Sequence, residues 1–580
     1  MRLSLRLSVA LGAAASGALS LAAAAQSTLP LKHAAQPTTA AITAGDLMTR
    51  LYIFADDSMQ GRQIGTVGHF KSTAYIANEL RKMGMKPGGE HGTYFQNYPY
   101  VRRTLDSSST LAAGGKTFHA GRDFVATSTS PRAPTALRGL PIVFGGTQND
   151  TINPITVDQV RGKILVVNAP PGGFGRGGRG GRGRGAPSPV MLQLRAASDS
   201  AAAIVLVEGD SLPAFAVNNS MNSKTARPFS PASDAAPTPL TITVTKSVAE
   251  AILGGSSDAA TKGQAGKSLA ATLHFHDQTL PARNVIGIVT GSDPKLRGEY
   301  VALGAHNDHI GMRAPIDPDS VRIFNRIVRP QGLDSRGQAT PEQMAEFDAK
   351  IAEWRKTHPI RVDSINNGAD DDGSGSVTLL ELAESFQKAA VKPKRSLIFV
   401  WHTGEESGLL GSRYFTDHPT VPRDSIVAQL NMDMVGRGKS DDIVAVSPEG
   451  KQTLGGDNYL QLVGSRRIST ELGDIIEEVN KTEKMPFAFD YQYDANGHPQ
   501  RIYCRSDHAN YARYNIPITF FTTGLHIDYH QVTDEPQYID YDHMARVGQL
   551  VHDVAVHVAN LDHRPTIDHP VSDPKAPCVQ

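Results

Sequence analysis

The sequence has few cysteines, no net charge and no long apolar run beyond its N-terminus. Cys504 and Cys578 are the only two cysteines in 580 residues, which excludes a disulfide framework, and neither lies in a CxxC pair typical of a thiolate metal site. Basic and acidic residues number 58 each, so no overall field favours nucleic acid or a charged membrane. No later stretch reaches the ~18 apolar residues of a membrane-spanning helix. The length and the 40% apolar content instead indicate a globular protein, with two domains favoured over one.

The N-terminus has the pattern of a secretory signal. A basic segment, residues 1–6, precedes an apolar stretch that ends at about Leu21, and Ala23 to Ala25 form a small-residue cleavage site. A retained N-terminal anchor is the alternative. We expect residues 1–25 to be removed and the mature protein to be exported, periplasmic or extracellular, without membrane association. In such an oxidising compartment Cys504 and Cys578 can pair and hold the C-terminal tail against the body.

The pattern along the chain predicts an α/β protein with a β-rich insert. From about residue 283, apolar strand-like runs alternate with helical ones, which indicates a mostly parallel or mixed central sheet with helices on both faces. The predicted segments are a signal peptide (1–25), a linker (26–44), a discontinuous α/β domain (45–134 and 279–565), a β-rich insert (135–278), an insertion beside the site (313–365) and a tail (566–580). We interpret the Arg/Gly-rich tract at 172–187 as a flexible loop rather than a nucleic-acid-binding segment.

Histidines and carboxylates follow several of the predicted strands. In open parallel sheets, ligands gather in loops at the carboxyl ends of strands. The strands expected to end there are Tyr300–Ala305, Ser396–Trp401, Ile426–Leu430 and Ile516–Phe521. The candidate ligands near these ends or at a helix start are His306, Asp371, Glu405, Glu406, Asp433 and His530. Two divalent ions that share one carboxylate need five such ligands, and the sixth group can then exchange protons with activated water.

Each local string adds a reason for this interpretation. Asp371 lies in a run of three aspartates before a helix, and capping that helix needs only one of them. Glu405 and Glu406 are adjacent carboxylates, so one can bind metal while the other acts as a base. Asp433 has methionine on both sides, and a buried lone carboxylate needs a partner. The donors are nitrogen and oxygen without thiolates, which suits zinc, with cobalt or manganese possible.

Three further residues are expected to support the ligands. Asp308 lies two residues after His306 and can fix the tautomer of its ring. Tyr529 precedes His530 and can donate a hydrogen bond to a developing oxyanion. Asp534 can orient His530.

These motifs resemble those of the M28 family of metallopeptidases, the aminopeptidases with a pair of zinc ions. The strings that carry the resemblance, in the family's order, are HND, ADDDGSG, GEESGLLGS, NMDMVG, RSDH and YHQVTDEP. The segment RGKILVVN and its position make the insert similar to a protease-associated (PA) domain. The 313–365 insertion and the Arg/Gly-rich loop have no counterpart in the family's pattern.

The resemblance implies a role for each site residue and two zinc ions per chain. Asp371 would bridge the metals, His306 and Asp433 would complete one site, and Glu406 and His530 the other. The remaining implied roles are a general base at Glu405, an oxyanion donor at Tyr529 and an outer partner of His306 at Asp308. The implied function is an exported zinc aminopeptidase acting on peptides. The alternatives are a carboxypeptidase or dipeptidase of the same fold, a non-catalytic binding ectodomain and a glutaminyl-cyclase-like transferase.

Overall fold

The computed structural model describes residues 29–580, apart from 129–133, 171–188, 224–225, 227, 230–238, 336–337, 448–449 and 577. The predicted signal peptide and the Arg/Gly-rich tract lie outside these described residues. Within them, no helix has both the length and the apolar character needed to cross a membrane.

The described residues form strands and helices that alternate over most of the C-terminal half. The strands are β1 (Lys86–Pro87), β2 (Phe95–Asn97), β3 (Tyr100–Leu105), β4 (Thr110–Ala113), β5 (Lys116–His119), β6 (Phe124–Thr127), β7 (Ala136–Leu137), β8 (Ile142–Thr147), β9 (Ile164–Asn168), β10 (Ala203–Val207), β11 (Leu240–Val244), β12 (Ala270–Thr272), β13 (Phe275–Leu280), β14 (Arg283–Val289), β15 (Tyr300–His306), β16 (Met312–Ile316), β17 (Asp363–Ile365), β18 (Ser396–His402), β19 (Ile426–Met432), β20 (Ile443–Val446), β21 (Gln452–Leu454), β22 (Tyr459–Val463), β23 (Ala488–Asp490) and β24 (Ile518–Thr522). The α-helices are α1 (Ala44–Phe54), α2 (Val67–Lys82), α3 (Val157–Val160), α4 (Pro189–Ser200), α5 (Ala214–Met221), α6 (Lys246–Leu253), α7 (Pro318–Val328), α8 (Pro341–Trp354), α9 (Gly375–Lys388), α10 (Leu410–Asp417), α11 (Thr470–Thr482), α12 (His508–Ala512) and α13 (Tyr541–Asn560).

The largest sheet has nine strands in the order β1-β14-β18-β15-β19-β24-β22-β23, with β2 also beside β14. Its central strands β18, β15, β19 and β24 are parallel, whereas β14 runs antiparallel to β18 and β22 runs antiparallel to β24. Alternate residues of β18 pack into different clusters: Phe399 faces the helices α1, α9 and α13, and Val400 faces α10 and α12. Helices therefore cover both faces, which confirms the predicted fold class.

A second group of strands has a hydrophobic cluster of its own. A five-stranded sheet, β6-β11-β10-β9-β8, and a four-stranded sheet, β5-β4-β12-β7, enclose apolar side chains that include Phe124, Val166 and Ile242. These sheets include β4 to β6, which precede the predicted start of the insert at residue 135. The PA-type assignment of the insert stays a prediction.

The C-terminal tail is fixed to the α/β body. Cys504 and Cys578 form a disulfide with their Cα atoms 5.8 Å apart. The backbone N–H of Val571 donates to the side-chain oxygen of Asn515, and the N–H of Tyr503 donates to the side chain of Gln580. The pairing that the sequence left open is therefore present in the fold.

Candidate metal centre

The four central parallel strands bring candidate ligands to one edge of the sheet. His306 is the last residue of β15, Asp433 directly follows β19, and Glu405 and Glu406 lie in the turn after β18. His530 lies in the loop beyond β24. Because these strands run parallel as neighbours, their carboxyl ends deliver the side chains to the same place.

Asp371 reaches the same place from the turn before α9 and faces two groups of side chains. Its Oδ1 lies 3.1 Å from His306 Nε2, and that nitrogen is 3.6 Å from Asp433 Oδ1. Its Oδ2 lies 3.1 Å from His530 Nε2, which is 3.0 Å from Glu406 Oε2. The two oxygens of one carboxylate thus point to different sets of nitrogen and oxygen donors.

The chemistry of this cluster fits bound cations. Four of these buried atoms have no hydrogen-bond partner: His306 Nε2, Asp371 Oδ2, Glu406 Oε1 and His530 Nε2. Buried polar atoms without partners cost free energy, and a cation among them removes that cost. The donor atoms of each group lie within 4.8 Å of one another, and they are imidazole nitrogens and carboxylate oxygens, the donors that zinc accepts. The residues present therefore fit two ions that share Asp371.

The electrostatics of the bridging position favour an ionised carboxylate. Burial alone would raise the pKa of Asp371, but the imidazoles of His306 and His530, each 3.1 Å away, hold that pKa well below its usual range. Burial likewise opposes ionisation of Glu406, yet the neighbouring His530 and His309 lower its pKa to about 2. Both side chains are therefore anionic and ready to bind a cation.

His309 is a member of the cluster that the sequence did not reveal. Its Nδ1 lies 2.7 Å from Glu406 Oε1 and 3.7 Å from Asp371 Oδ2, and it groups with Asp371, Glu406 and His530. The signal in the sequence was a second histidine three residues after His306 in AHNDH. Because β15 ends at His306, strand alternation does not predict where His309 points.

The other two aspartates of the triplet hold the surrounding loops. Asp372 Oδ2 accepts the backbone N–H of His306 at 2.9 Å, and its Oδ1 accepts the N–H of Gly375 at 2.9 Å. Asp370 Oδ1 accepts the N–H of Gly436 at 2.7 Å. Of the three adjacent carboxylates, Asp371 therefore faces the candidate metal positions, while Asp370 and Asp372 bind backbone N–H groups of the loops beside them.

Glu405 lies beside the cluster without belonging to either group of candidate ligands. Its Oε2 is 4.0 Å from His306 Nε2, and its side chain lines the adjoining cleft. Burial raises the pKa of Glu405 well above its usual value; His306 lowers it, and the carboxylates of Glu406 and Asp433 raise it further. A buried carboxylate with a raised pKa, next to metal positions and open to a cleft, is suited to exchanging protons.

Asp308 and Asp534 contact the site differently from what we predicted. His306 Nδ1 lies 3.0 Å from the backbone carbonyl of Asp308 and 3.9 Å from its carboxylate. That carboxylate instead accepts the N–H groups of Gly404 and Glu405 and so fixes the turn that carries both glutamates. Asp534 accepts the backbone N–H groups of residues 370 and 371 rather than orienting His530. Both aspartates stabilise loop backbone, because the buried N–H groups of tight turns need hydrogen-bond acceptors.

Tyr529 stacks on His530 and connects the site to the 313–365 insertion. The two rings lie 3.9 Å apart between centroids, and the Tyr529 hydroxyl accepts a hydrogen bond from Arg505 at 3.1 Å. Arg505 also pairs with Asp334 of the insertion at 2.7 Å. The backbone N–H of Leu333 donates to the Tyr529 carbonyl. Residues 333 and 334 of this segment therefore lie at the rim of the site, while its interpretation as an insertion stays a prediction.

A cleft of about 430 Å³ opens onto Asp371, Glu405 and Asp433. Its other walls are mainly apolar and aromatic, from Met434, Tyr493, Ile502, Phe520 and Leu525. Arg505 is the cationic residue of this lining, and its guanidinium is committed to Asp334 and Tyr529. A small apolar group of a ligand fits this environment better than a charged one.

Residues 284–555 match the model of peptidase family M28. This region belongs to that family. The predicted site residues, from His306 to Asp534, and His309 all lie within the M28 region. The resemblance stated from the sequence is thus confirmed for this part of the chain.

Relatives with M28-type names align with short parts of the chain. Leupeptin-inactivating enzyme 1 of Streptomyces exfoliatus is 38% identical over 96 residues, which cover 15% of this chain and 22% of that protein. A probable leucine aminopeptidase of Arthroderma benhamiae is 32% identical over 146 residues, or 23% of this chain and 41% of that protein. The chain thus spans less than half the length of these relatives.

An aminopeptidase from Aneurinibacillus sp. strain AM-1 is similar in structure over 92% of this chain and 97% of its own, with 16% identity and a TM-score of 0.43. That score is too low to imply anything further about the chain.

Proposed function

We propose that this protein is an exported zinc aminopeptidase that releases apolar N-terminal residues from peptides. The observation that carries the proposal is the arrangement at Asp371: two groups of donors share its carboxylate, with Glu405 beside them and not among them. Membership of the M28 region in a peptidase family supports peptides as substrates. The signal pattern and the disulfide support export to an oxidising compartment.

The two donor groups support a proposal of two zinc positions. His306, Asp371 and Asp433 would hold one ion, and Asp371, Glu406 and His530 would hold the other. Bound zinc supplies Lewis-acid polarisation of the scissile carbonyl and lowers the pKa of the attacking water. The side chains around these positions then hold the substrate and move the protons.

Glu405 would move the proton between water and the leaving amine. Its carboxylate accepts a proton from the attacking water as the new C–O bond forms. The same proton is then given to the amine nitrogen as the C–N bond breaks, so Glu405 ends in its starting state. The raised pKa of Glu405 suits both steps, because the group must hold the proton between them.

Tyr529 would stabilise the oxyanion. Its hydroxyl oxygen accepts from Arg505, which leaves the phenolic O–H free to donate toward the cleft. Burial and the nearby anions Asp371 and Glu406 raise the pKa of Tyr529, although Arg505 lowers it, so the phenol keeps its proton.

We expect Tyr529→Phe to lower kcat about 10²- to 10³-fold, the cost of losing one oxyanion donor, with zinc content unchanged. The matched control is Tyr493→Phe, since this second tyrosine of the cleft has its hydroxyl bound by Gln331 at 2.7 Å. Steady-state kinetics on one peptide substrate would check both variants. A Tyr529→Phe enzyme as active as Tyr493→Phe would exclude the oxyanion role.

The cleft favours an aminopeptidase over a carboxypeptidase. A free substrate ammonium would meet the carboxylates of Glu405 and Asp433, whereas a free carboxylate would need the guanidinium of Arg505, which already binds Asp334 and Tyr529. The apolar walls would take the side chain of the first residue.

A panel of aminoacyl p-nitroanilides, each with a free or an acetylated amino group, tests this function. We expect leucyl and methionyl substrates to be cleaved fastest, acetylation to lower kcat/KM at least about 100-fold by the loss of a charge-assisted contact, and a chelator to stop cleavage until zinc is restored. Equal cleavage of acetylated substrates, or preference for peptides with a free C-terminus, would favour an endopeptidase or the carboxypeptidase alternative.

A further inference from the structure

We propose that the two metal positions are unequal: His309 is a fourth protein ligand at the Glu406–His530 position, which makes that position the tighter one, while the His306–Asp433 position has three protein ligands and keeps a coordination site for substrate. This inference rests on the pair of zinc ions proposed above. It adds a ligand that neither the sequence motifs nor the family resemblance assigns.

The first observation in support of a fourth ligand is the position of the His309 ring. Its Nδ1 is buried and lies 2.7 Å from Glu406 Oε1, yet the two atoms lack the alignment of a hydrogen bond. A ring nitrogen and a carboxylate oxygen that lie close together without being aimed at each other are arranged as ligands that converge on one ion rather than as a donor and its acceptor. Four donors then meet there, from His309, Asp371, Glu406 and His530.

The packing around His309 holds its ring in this orientation. A Cβ on Gly368 would lie 2.6 Å from two ring carbons of His309, so only glycine leaves room for the imidazole there. On its other side the ring meets His530 edge to face, with centroids 5.6 Å apart. The backbone at Gly368 and the His530 ring thus fix the nitrogen toward the cluster rather than leaving it free to rotate.

The cleft supplies an independent observation. Its lining includes the shared Asp371, Asp433 and Glu405, but not the histidine ligands or Glu406. Asp433 is thus the one unshared ligand that lines the cleft, and it belongs to the position that has three protein ligands. Zinc sites with four protein ligands are closed and structural, whereas those with three keep a place for water or substrate. The number of protein ligands and the lining of the cleft therefore both indicate the His306–Asp433 position as the one that takes substrate.

Graded removal of zinc is the experiment that tests this inference. Zinc-loaded protein is dialysed against increasing chelator, and zinc per chain is measured by mass spectrometry. We expect the wild type to lose one equivalent early and the second only at much higher chelator. In His309→Asn the second zinc equivalent should leave at a lower chelator concentration, closer to that of the first. Its affinity should fall by at least about 10- to 100-fold, the loss that even changes in the residues behind zinc ligands cause.

The asparagine variant separates a ligand from a mere hydrogen-bond donor. Its amide nitrogen occupies nearly the place of Nδ1 and would preserve any hydrogen bond that the ring could donate to Glu406, but an amide nitrogen does not bind zinc. His508→Asn is the matched control, because His508 is also fully buried with both ring nitrogens unpartnered and lies outside both donor groups. Wild-type release from His309→Asn, or the same change in His508→Asn, would overturn the proposal.

X-ray absorption of the zinc-loaded wild type decides the question if the variant fails to fold. Three imidazoles over two ions are expected, from His306, His309 and His530, against two imidazoles if His309 does not bind. Two imidazoles would overturn the proposal. Both readouts count zinc and its ligands, so they stand apart from the hydrolysis assay: a protein with unequal zinc positions but no peptidase activity would refute only the proposed function.

Discussion

Replacing Glu405 with glutamine is expected to lower kcat about 10²- to 10⁴-fold, the contribution of a positioned general base, while zinc content and KM change little. Glutamine keeps the size and the hydrogen-bonding oxygen of the side chain but cannot accept a proton at neutral pH. The backbone N–H of Glu405 still donates to Asp308, so the turn that carries it is preserved. Steady-state kinetics and zinc analysis of the same sample would check the result.

The neighbouring residue provides the matched control. Glu406→Gln removes the same charge one position along. The Glu406 carboxylate, however, lies 3.0 Å from His530 Nε2 and belongs to the donor group of the Glu406–His530 metal position. We expect this variant to lose zinc, and to recover part of its activity at high zinc concentration. If Glu405→Gln lost zinc instead, or kept activity within tenfold of wild type, Glu405 would not be the proton carrier.

The sequence was sufficient to bring the candidate ligands together, because their positions depend on strand ends. The predicted strands ending at Ala305, Leu430 and Phe521 end in the structure at His306, Met432 and Thr522. An error of one or two residues does not move a side chain to another edge of the sheet. The loops that follow neighbouring parallel strands therefore lie close together, whatever the detailed packing.

The sheet's outer part could not be predicted, because strand pairing is not local. The run Ile443–Val446 is a strand, but it pairs with β21 in a separate two-stranded sheet. The next strand in the large sheet is β22, Tyr459–Val463, which lies antiparallel to β24. Both runs are mainly apolar and strand-like, so local propensity does not distinguish them.

The support around the ligands was predicted least well. Asp308 and Asp534 were placed beside histidines by spacing, but their carboxylates bind backbone N–H groups whose positions depend on the folded turns. The contact of Asp334 with Arg505 joins residues 171 positions apart. Spacing in the sequence therefore indicates which residues belong to the site, and only the fold shows which atom each one binds.

Replacing the shared carboxylate in Asp371→Asn is expected to abolish measurable zinc binding at both positions, and with it all hydrolysis. Both donor groups lose the one residue that they share, and an amide is a much poorer zinc ligand than an ionised carboxylate. Zinc at 100 to 1,000 times its Kd should add about 3–4 kcal/mol of stability for each bound ion, so the wild-type protein should melt at a higher temperature when zinc is added. Asp371→Asn should show no zinc-dependent rise. Calorimetric melting with and without zinc would measure this difference.

The adjacent Asp372→Asn separates metal binding from support of the fold. Its carboxylate accepts the N–H groups of His306 and Gly375, and losing one such buried acceptor costs about 1–3 kcal/mol. This variant should melt earlier without zinc yet still gain stability when zinc is added, because its side chain is not among the donors. Should Asp371→Asn bind two zinc ions with wild-type affinity, the carboxylate would not be shared between the metals, and the two donor groups would have to be independent sites.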